Sequence, residues 1–228
     1  KIKFTEPFKG LFTQGMVCHE TYKDQDNNWL SPDEIEIINK KYFKKGNPNN
    51  EIKIGPSESM SKSKKNVVDP ESIIKSYGAD AARWFMLSDS PPEKDINWSD
   101  SGIKGAWKIC QKISRIIIEN LTLIQNQEDT YSEDLSDNAN ELLKSVHQSL
   151  NGITKSIDKF QMNVAIAKIY EMVNSILKFK ITEESDKVAL VQSLKILIRI
   201  MEPMIPHLAE ECWSITNGNG LLSNQPWP

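Results

Sequence analysis

Between Pro92 and Pro203 the chain carries no proline, and its glycines there are Gly102, Gly105 and Gly152. That gap is the strongest constraint on the fold, because proline and glycine are the residues that interrupt helices. Within it, apolar residues recur at the 3.6-residue helical period over about 101–124, 136–158, 161–179 and 186–202. A short piece follows from Pro206 to Trp213. Four amphipathic helices of this length close a bundle around one core. In 161–179, Met162, Tyr170 and Met172 fall at core spacing. Before residue 100, turn signals crowd together: Lys9-Gly10, Gly46-Asn47-Pro48, Gly55-Pro56, Asp69-Pro70 and Pro91-Pro92. The chain therefore divides into 1–100, mixed α/β, and 101–228, all-α, and is mostly helical overall.

In the first part, Leu11 to Cys18 reads as a short buried strand and Glu20 to Asn50 as a polar excursion. Glu51-Ile52-Lys53-Ile54 alternates like a strand that Gly55-Pro56 ends. Asp69 is a good N-cap, Pro70 suits the first helical position, and Glu71 favours the helix dipole. That helix is expected to stop at Gly78 in a left-handed cap, with a second over Ala79 to Leu87. The polar, acidic run Asn126–Asp137 reads as a surface connection between helices.

Composition excludes several classes. Apolar runs are short, as in Ile116-Ile117-Ile118, so nothing is expected to span a membrane. Cys18, Cys110 and Cys212 lie far apart, as do His19, His147 and His207, in no metal-like spacing; no metal is expected to bind here. Scattered cysteines among apolar residues point to reduced thiols and a cytosolic setting. The net charge of −3 gives no global sign of nucleic acid, so such a role has to come from local charge. Lys1 is preceded by no start Met or signal region, and Trp227-Pro228 ends no recognisable element, so the chain reads as a piece of something longer.

Two local features carry chemistry. Ser57-Glu58-Ser59-Met60-Ser61-Lys62-Ser63-Lys64-Lys65-Asn66 lies between a strand and a capped helix. Its ammonium groups and hydroxyls suit a triphosphate, because charge-assisted bonds to phosphate oxygens are strong. A solvated loop of Lys and Ser has the same composition. The second feature is on the helix beginning near Gly102. Lys104, Lys108, Lys112 and Arg115 fall within about 80° of one another at 3.6 residues per turn. Ile109, Cys110, Ile113, Ile116 and Ile117 take the opposite side. An unpaired cationic stripe can track phosphates, although a plain solvated face looks alike. Lys195 and Arg199 could extend the basic surface, and Trp107 could stack on a base or pack beside the core.

Met60, Ser61, Lys62 and Ser63 resemble the signature loop of class I aminoacyl-tRNA synthetases, usually Lys-Met-Ser-Lys-Ser, with Ser59 in place of the leading lysine. Asn66, Val67, Asp69 and Pro70 match downstream, then Tyr77-Gly78-Ala79-Asp80 and Arg83. The leucine branch of the family fits best. Glu6-Pro7-Phe8-Lys9-Gly10-Leu11 and Thr13-Gln14-Gly15-Met16-Val17 resemble its strand leading away from the nucleotide fold. Ser90–Ile96, Trp98-Ser99-Asp100-Ser101-Gly102 and Gly105-Ala106 resemble the approach to its anticodon-binding bundle, and Met204–Glu211 with Trp213 the closing segment.

The resemblance implies the α/β end of a Rossmann-type catalytic domain with the stem-contact region in 1–100, then an anticodon-binding bundle in 101–228. It implies leucine activation by ATP, with Mg2+ in the full enzyme, to leucyl-adenylate and transfer to leucine tRNA. Lys62 corresponds to the catalytic lysine, and Met60, Ser61, Lys62 and Ser63 to the ATP-binding loop; Lys104, Lys108, Lys112 and Arg115 are the tRNA-binding candidates. Ser59 removes one cation, which Lys64 or Lys65 could replace. Arg83 takes a structural or a tRNA-stem role. The resemblance also implies a cytoplasmic monomer. The second ATP motif, of His-x-Gly-His type, is not in this chain, nor is any segment like the inserted editing domain. The leucine pocket is therefore expected mainly upstream, and the piece alone is expected to be inactive. The competing readings are a valine, isoleucine or methionine enzyme of the same class, or a non-catalytic helical module for RNA or protein.

Overall fold

The computed structural model describes residues 6, 8, 10–39, 41–127 and 135–228. Pro7 and Lys9 of the upstream motif, and 128–134 of the acidic connection, lie outside the described residues. The chain forms two compact units that do not follow a cut at residue 100. One holds the described residues up to Val68 together with Ser90–Trp98; the other holds Asp69–Asp89 with Ser99–Pro228.

In the first unit, β1 (Val17–Lys23) is the central strand. It pairs antiparallel with β2 (Trp29–Leu30) and β6 (Lys53–Ser59), and parallel with β7 (Ile96–Asn97). The strand thus starts at Val17 rather than Leu11, because the ladder partners begin there. Upstream, Leu11 is 91% exposed, and the chain is held by isolated long-range bonds rather than by a ladder: Gly15 N–H to Pro92 O at 2.8 Å and Met16 N–H to Asp95 Oδ1 at 2.7 Å. The stretch read as a polar excursion builds a second antiparallel sheet, β3 (Ile35–Ile38), β4 (Lys41–Lys44) and β5 (Asn47–Glu51), in that order. Its few apolar residues decide this: Ile35 and Tyr42 pack on the buried cluster Tyr22, Leu30 and Ile52.

Ile52 lies between β5 and β6, so the single strand expected over Glu51–Ile54 is two strands. Gly55-Pro56 does not end β6, which runs to Ser59. Pro56 falls where the β1–β6 register shifts, with Glu20 opposite Ser57 and Thr21 opposite Gly55. A proline is tolerated at such a bulge because no ladder N–H is required of it. Gly55 is required there, since a Cβ would lie 2.4 Å from Thr21 Oγ1.

The second unit is helical: α1 (Pro70–Tyr77), α2 (Ala79–Ser88), α3 (Asp100–Glu119), α4 (Leu121–Asn126), α5 (Asp137–Asp158), α6 (Met162–Lys178), α7 (Glu184–Ile200) and α8 (Pro206–Ile215). Asp69 caps α1, accepting from Ser72 N–H at 3.0 Å and Glu71 N–H at 3.3 Å. Gly78 ends α1 with φ +86° and ψ 156°, a positive φ but not the left-handed cap, and α2 follows at once. The helix expected over 101–124 breaks at Asn120, whose side-chain amide donates to Ile116 O at 2.8 Å.

The bundle core runs through Ile103, Ile113 and Ile117 of α3, Ile153 of α5, Ile166, Ile169 and Met172 of α6, and Leu194 and Leu197 of α7, all fully buried. Each such side chain contributes about 1.5–3 kcal/mol of burial. Of the three residues expected in the α6 core only Met172 is fully buried; Tyr170 sits at the edge, its hydroxyl accepting from Trp84 Nε1 at 3.2 Å. Asp186 is buried under the start of α7, accepting from Ser136 Oγ at 2.6 Å and Thr182 N–H at 2.7 Å. Those bonds, the Ser136 hydroxyl first, hold its carboxyl well below the ordinary aspartate range.

Candidate functional site

The loop Met60–Lys65 is a closed turn on the end of the β1–β6 ladder. Met60 N–H bonds to Val17 O at 3.1 Å. Ser61 N–H then donates to Asn66 Oδ1 at 2.8 Å, so residues 61 and 66 close a ring around the tip. Inside it, the Ser61 and Ser63 hydroxyls are 3.0 Å apart, Lys64 N–H reaches Ser61 Oγ at 3.3 Å, and Lys65 N–H reaches Lys62 O at 3.3 Å. Lys65 has φ +54°, a left-handed conformation that a side chain with a Cβ adopts at a cost of roughly 1–2 kcal/mol.

The lysines of the loop are not equivalent. Lys64 pairs with Glu58, and Lys65 with Glu34 at 3.5 Å. Ser31, through its backbone N–H and then its hydroxyl, keeps Glu34 below its usual carboxylate range, and Lys65 adds to this. Lys62 is exposed and makes no ion pair among the described residues. It is therefore the ammonium of the loop left available to an anion. Lys64 and Lys65, the possible substitutes for the cation missing at Ser59, are already held by carboxylates.

Asn66 is a functional residue whose task is not visible in the sequence, because its partners lie on β1, β6 and the loop. It is fully buried and bonds three backbone groups.

On α3, Lys104, Lys108, Lys112 and Arg115 are all exposed and form no ion pair among the described residues, while Ile103, Ala106, Ile109, Cys110, Ile113, Ile116 and Ile117 are buried. Trp107 is 39% exposed beside the stripe. Ser99 caps α3, accepting from Gly102 N–H at 3.1 Å. A Cβ on Gly102 would come within 2.4 Å of the Phe85 ring, so the Ser-Asp-Ser-Gly block is a cap plus a notch for α2. Arg199 does not extend the stripe; its guanidinium donates to the Pro226 carbonyl.

Arg83 has a structural task. Its guanidinium donates to Pro203 O at 2.8 Å and Met204 O at 3.0 Å, satisfying carbonyls of the turn between α7 and α8. One helical turn earlier, Asp80 caps α8, accepting from Leu208 N–H at 2.7 Å and lying 3.0 Å from His207 Nδ1. The Gly-Ala-Asp turn and Arg83 thus form one clamp on residues 203–208. His207 belongs to that cap.

Among the described residues no three or more His, Cys, Asp or Glu side chains gather as a metal site, and no helix is long and apolar enough to cross a membrane. Burial pushes the Cys110 and Cys212 thiols up to about 12, which removes them as nucleophiles.

Residues 35–99 match the family described as tRNA synthetases class I (I, L, M and V), and residues 139–228 the anticodon-binding domain of tRNA ligase. A leucine–tRNA ligase of Maricaulis maris is 43% identical over 100% of this chain and 26% of its own length. One of Rhodospirillum rubrum is 44% identical over 98% of this chain and 26% of its own. Among solved structures, an Agrobacterium radiobacter K84 LeuRS–tRNA–LeuAMS complex is similar at TM-score 0.68 and 28% identity, covering 75% of this chain and 22% of that one. A Mycobacterium tuberculosis methionyl-tRNA synthetase bound by methionyl-adenylate reaches TM-score 0.54 at 22% identity, covering 68% of this chain and 35% of that one, and shares the fold. This chain spans about a quarter of the length of the curated relatives it matches.

Proposed function

We propose that this chain, which matches the class I tRNA synthetases over 35–99 and leucine–tRNA ligases along its whole length, is a segment of such a ligase. The whole protein activates leucine with ATP to leucyl-adenylate, expels pyrophosphate, and transfers leucyl to leucine tRNA. The observation that carries this reading is the 43% identity spread over 100% of the chain, loop and bundle alike. A helical binding module leaves the loop and its buried Asn66 without a reason. The methionine branch shares the fold at much lower identity.

In this reading the segment supplies half of the ATP site. Lys62 is its catalytic residue, neutralising charge on the triphosphate as the carboxylate of leucine attacks the α-phosphorus; Met60, Ser61 and Ser63 complete the ATP-binding loop. Adenylate formation needs positioning and charge neutralisation more than covalent help. ATP enters as its Mg2+ complex, a substrate, and no residue set here is assigned to the metal. The α3 stripe, Lys104, Lys108, Lys112 and Arg115, is the tRNA-facing surface; its exposure and its lack of ion pairs among the described residues support that role. Along the sequence, residues 1–100 carry the end of the catalytic domain with the stem-contact region and 101–228 the anticodon-binding bundle, while Asp69–Asp89, with α1 and α2, packs as part of the helical unit. The whole protein is a cytoplasmic monomer.

Charging assays on the complete ligase test this: leucine tRNA transcript is expected to be charged with leucine and valine transcript not. Charging of the valine transcript in its place, or leucine-independent ATP–pyrophosphate exchange, sinks the leucine assignment. The piece 1–228 alone is expected to show no exchange.

A further inference from the structure

The geometry points to Asn66 as the positioning residue that holds Lys62 where ATP binds, an inference that rests on the function proposed above. Asn66 is 0% exposed, and a buried amide is costly unless every strong donor and acceptor is used. Here they are. Oδ1 accepts from Ser61 N–H at 2.8 Å, and the two Nδ2 protons serve His19 O and Glu58 O, each at 3.1 Å. Ser59 O lies at 3.5 Å, at the limit of a bond. The amide orientation is fixed by these partners, since reversing it would set oxygen against carbonyls and NH2 against an N–H.

His19 and Glu58 face each other across the ladder of β1 and β6. Asn66 therefore grips both strands with its nitrogen and the loop with its oxygen. Ser61 is the residue before Lys62, and the grip on its N–H sets where the Lys62 backbone leaves the sheet. The carboxylate pairs of Lys64 and Lys65 lie at the surface, where solvent screening leaves such pairs too weak to define the loop. The buried amide is the anchor. Asn66 does not itself reach the loop tip; it acts through Lys62.

The test compares Asn66→Ala and Asn66→Asp in the complete ligase. Asp keeps an acceptor for Ser61 but loses both donors to the strand carbonyls. Both variants are expected to lower kcat for leucine-dependent ATP–pyrophosphate exchange by about 10²-fold, the scale of a misplaced positioning group. Single-turnover transfer from preformed leucyl-adenylate to tRNA should stay within about threefold, because that step no longer uses the triphosphate. In a Lys62→Ala background, Asn66→Ala should cost less than about threefold more, as for residues acting as one unit. Three results overturn the inference: an Asp variant equal to the parent, a parallel loss of exchange and transfer, or full multiplication of the two losses in the double variant. If Lys62→Ala leaves exchange intact, the assignment of the loop fails and this inference with it. If Lys62→Ala is damaging and the Asn66 variants are not, only this inference fails.

Discussion

The loop at Met60–Lys65 and the exposed face of α3 are both rich in cations, yet they are built in opposite ways. On the loop, Lys64 and Lys65 are paired with carboxylates, and the backbone is tied to the sheet by the Met60 N–H bond and by the buried Asn66 amide. One lysine, Lys62, is left unpaired among the described residues. On α3, the four cations are all unpaired among the described residues, and nothing tethers their side chains; a helix that satisfies its own backbone sets the spacing. Chemistry at one phosphorus atom needs a single charge in a fixed place. Tracking a sugar–phosphate backbone needs several charges at roughly even spacing, with freedom to adjust.

The contrast can be broken at either end. The largest effect is expected from Lys62→Ala in the complete ligase: a loss of about 10²–10³ in adenylate formation, roughly 2.7–4 kcal/mol, read by pyrophosphate exchange. A variant within a few-fold of the parent would remove the loop from the chemistry. Next come the α3 cations. Changing Lys104, Lys108, Lys112 and Arg115 together to Gln should flatten the dependence of log Kd for tRNA on log salt by up to about 0.7–0.9 for each phosphate no longer neutralised. Exchange should stay near normal. An unchanged salt slope would make the stripe an ordinary solvated face.

Arg83→Ala comes third and sharpens the comparison by touching neither cation group. It should destabilise the helical unit by about 1–3 kcal/mol, since two carbonyls of the α7–α8 turn lose their donor, with a lower Tm as the readout. A tRNA-affinity loss without a change in Tm would instead give Arg83 a direct role at the RNA. The last effect is a pH dependence that is flat near neutrality. The folded pKa of Asp186 is depressed, so its contribution is present above the unfolded value of about 3.9 and is lost as pH falls below it. The helical dichroism of Asp186→Asn should therefore show a shallower acid limb than the parent's, while the two run parallel from about pH 8 to 5.

The helices were legible in the sequence because their signal is local. Ile109, Ile113 and Ile116 announce a buried face within one segment, and Asp69-Pro70 announces its own cap. Asn120 broke the reading because nothing nearby warned that its amide would turn back on Ile116 O. The strands were poorly legible, since each is short and defined by partners far along the chain; β1 starts where β7 meets it, 79 residues later at Val17–Ile96. The loop sits between these extremes. Its lysines and serines were plain, but Asn66 takes its meaning from His19, 47 residues away, and Lys65 from Glu34. Composition cannot say which of three lysines is left free.

The chain passes between its two compact units after Val68, after Asp89 and again after Trp98. Such interlacing limits how this piece of protein can be divided or exchanged between relatives. A single cut at residue 100 severs α1 and α2 from the helices they belong with, stripping cover from Trp84 and Phe85. No one breakpoint releases either unit whole. A graft or recombinant that respects the packing has to move Asp69–Asp89 with everything from Ser99 onward, as two segments inherited together.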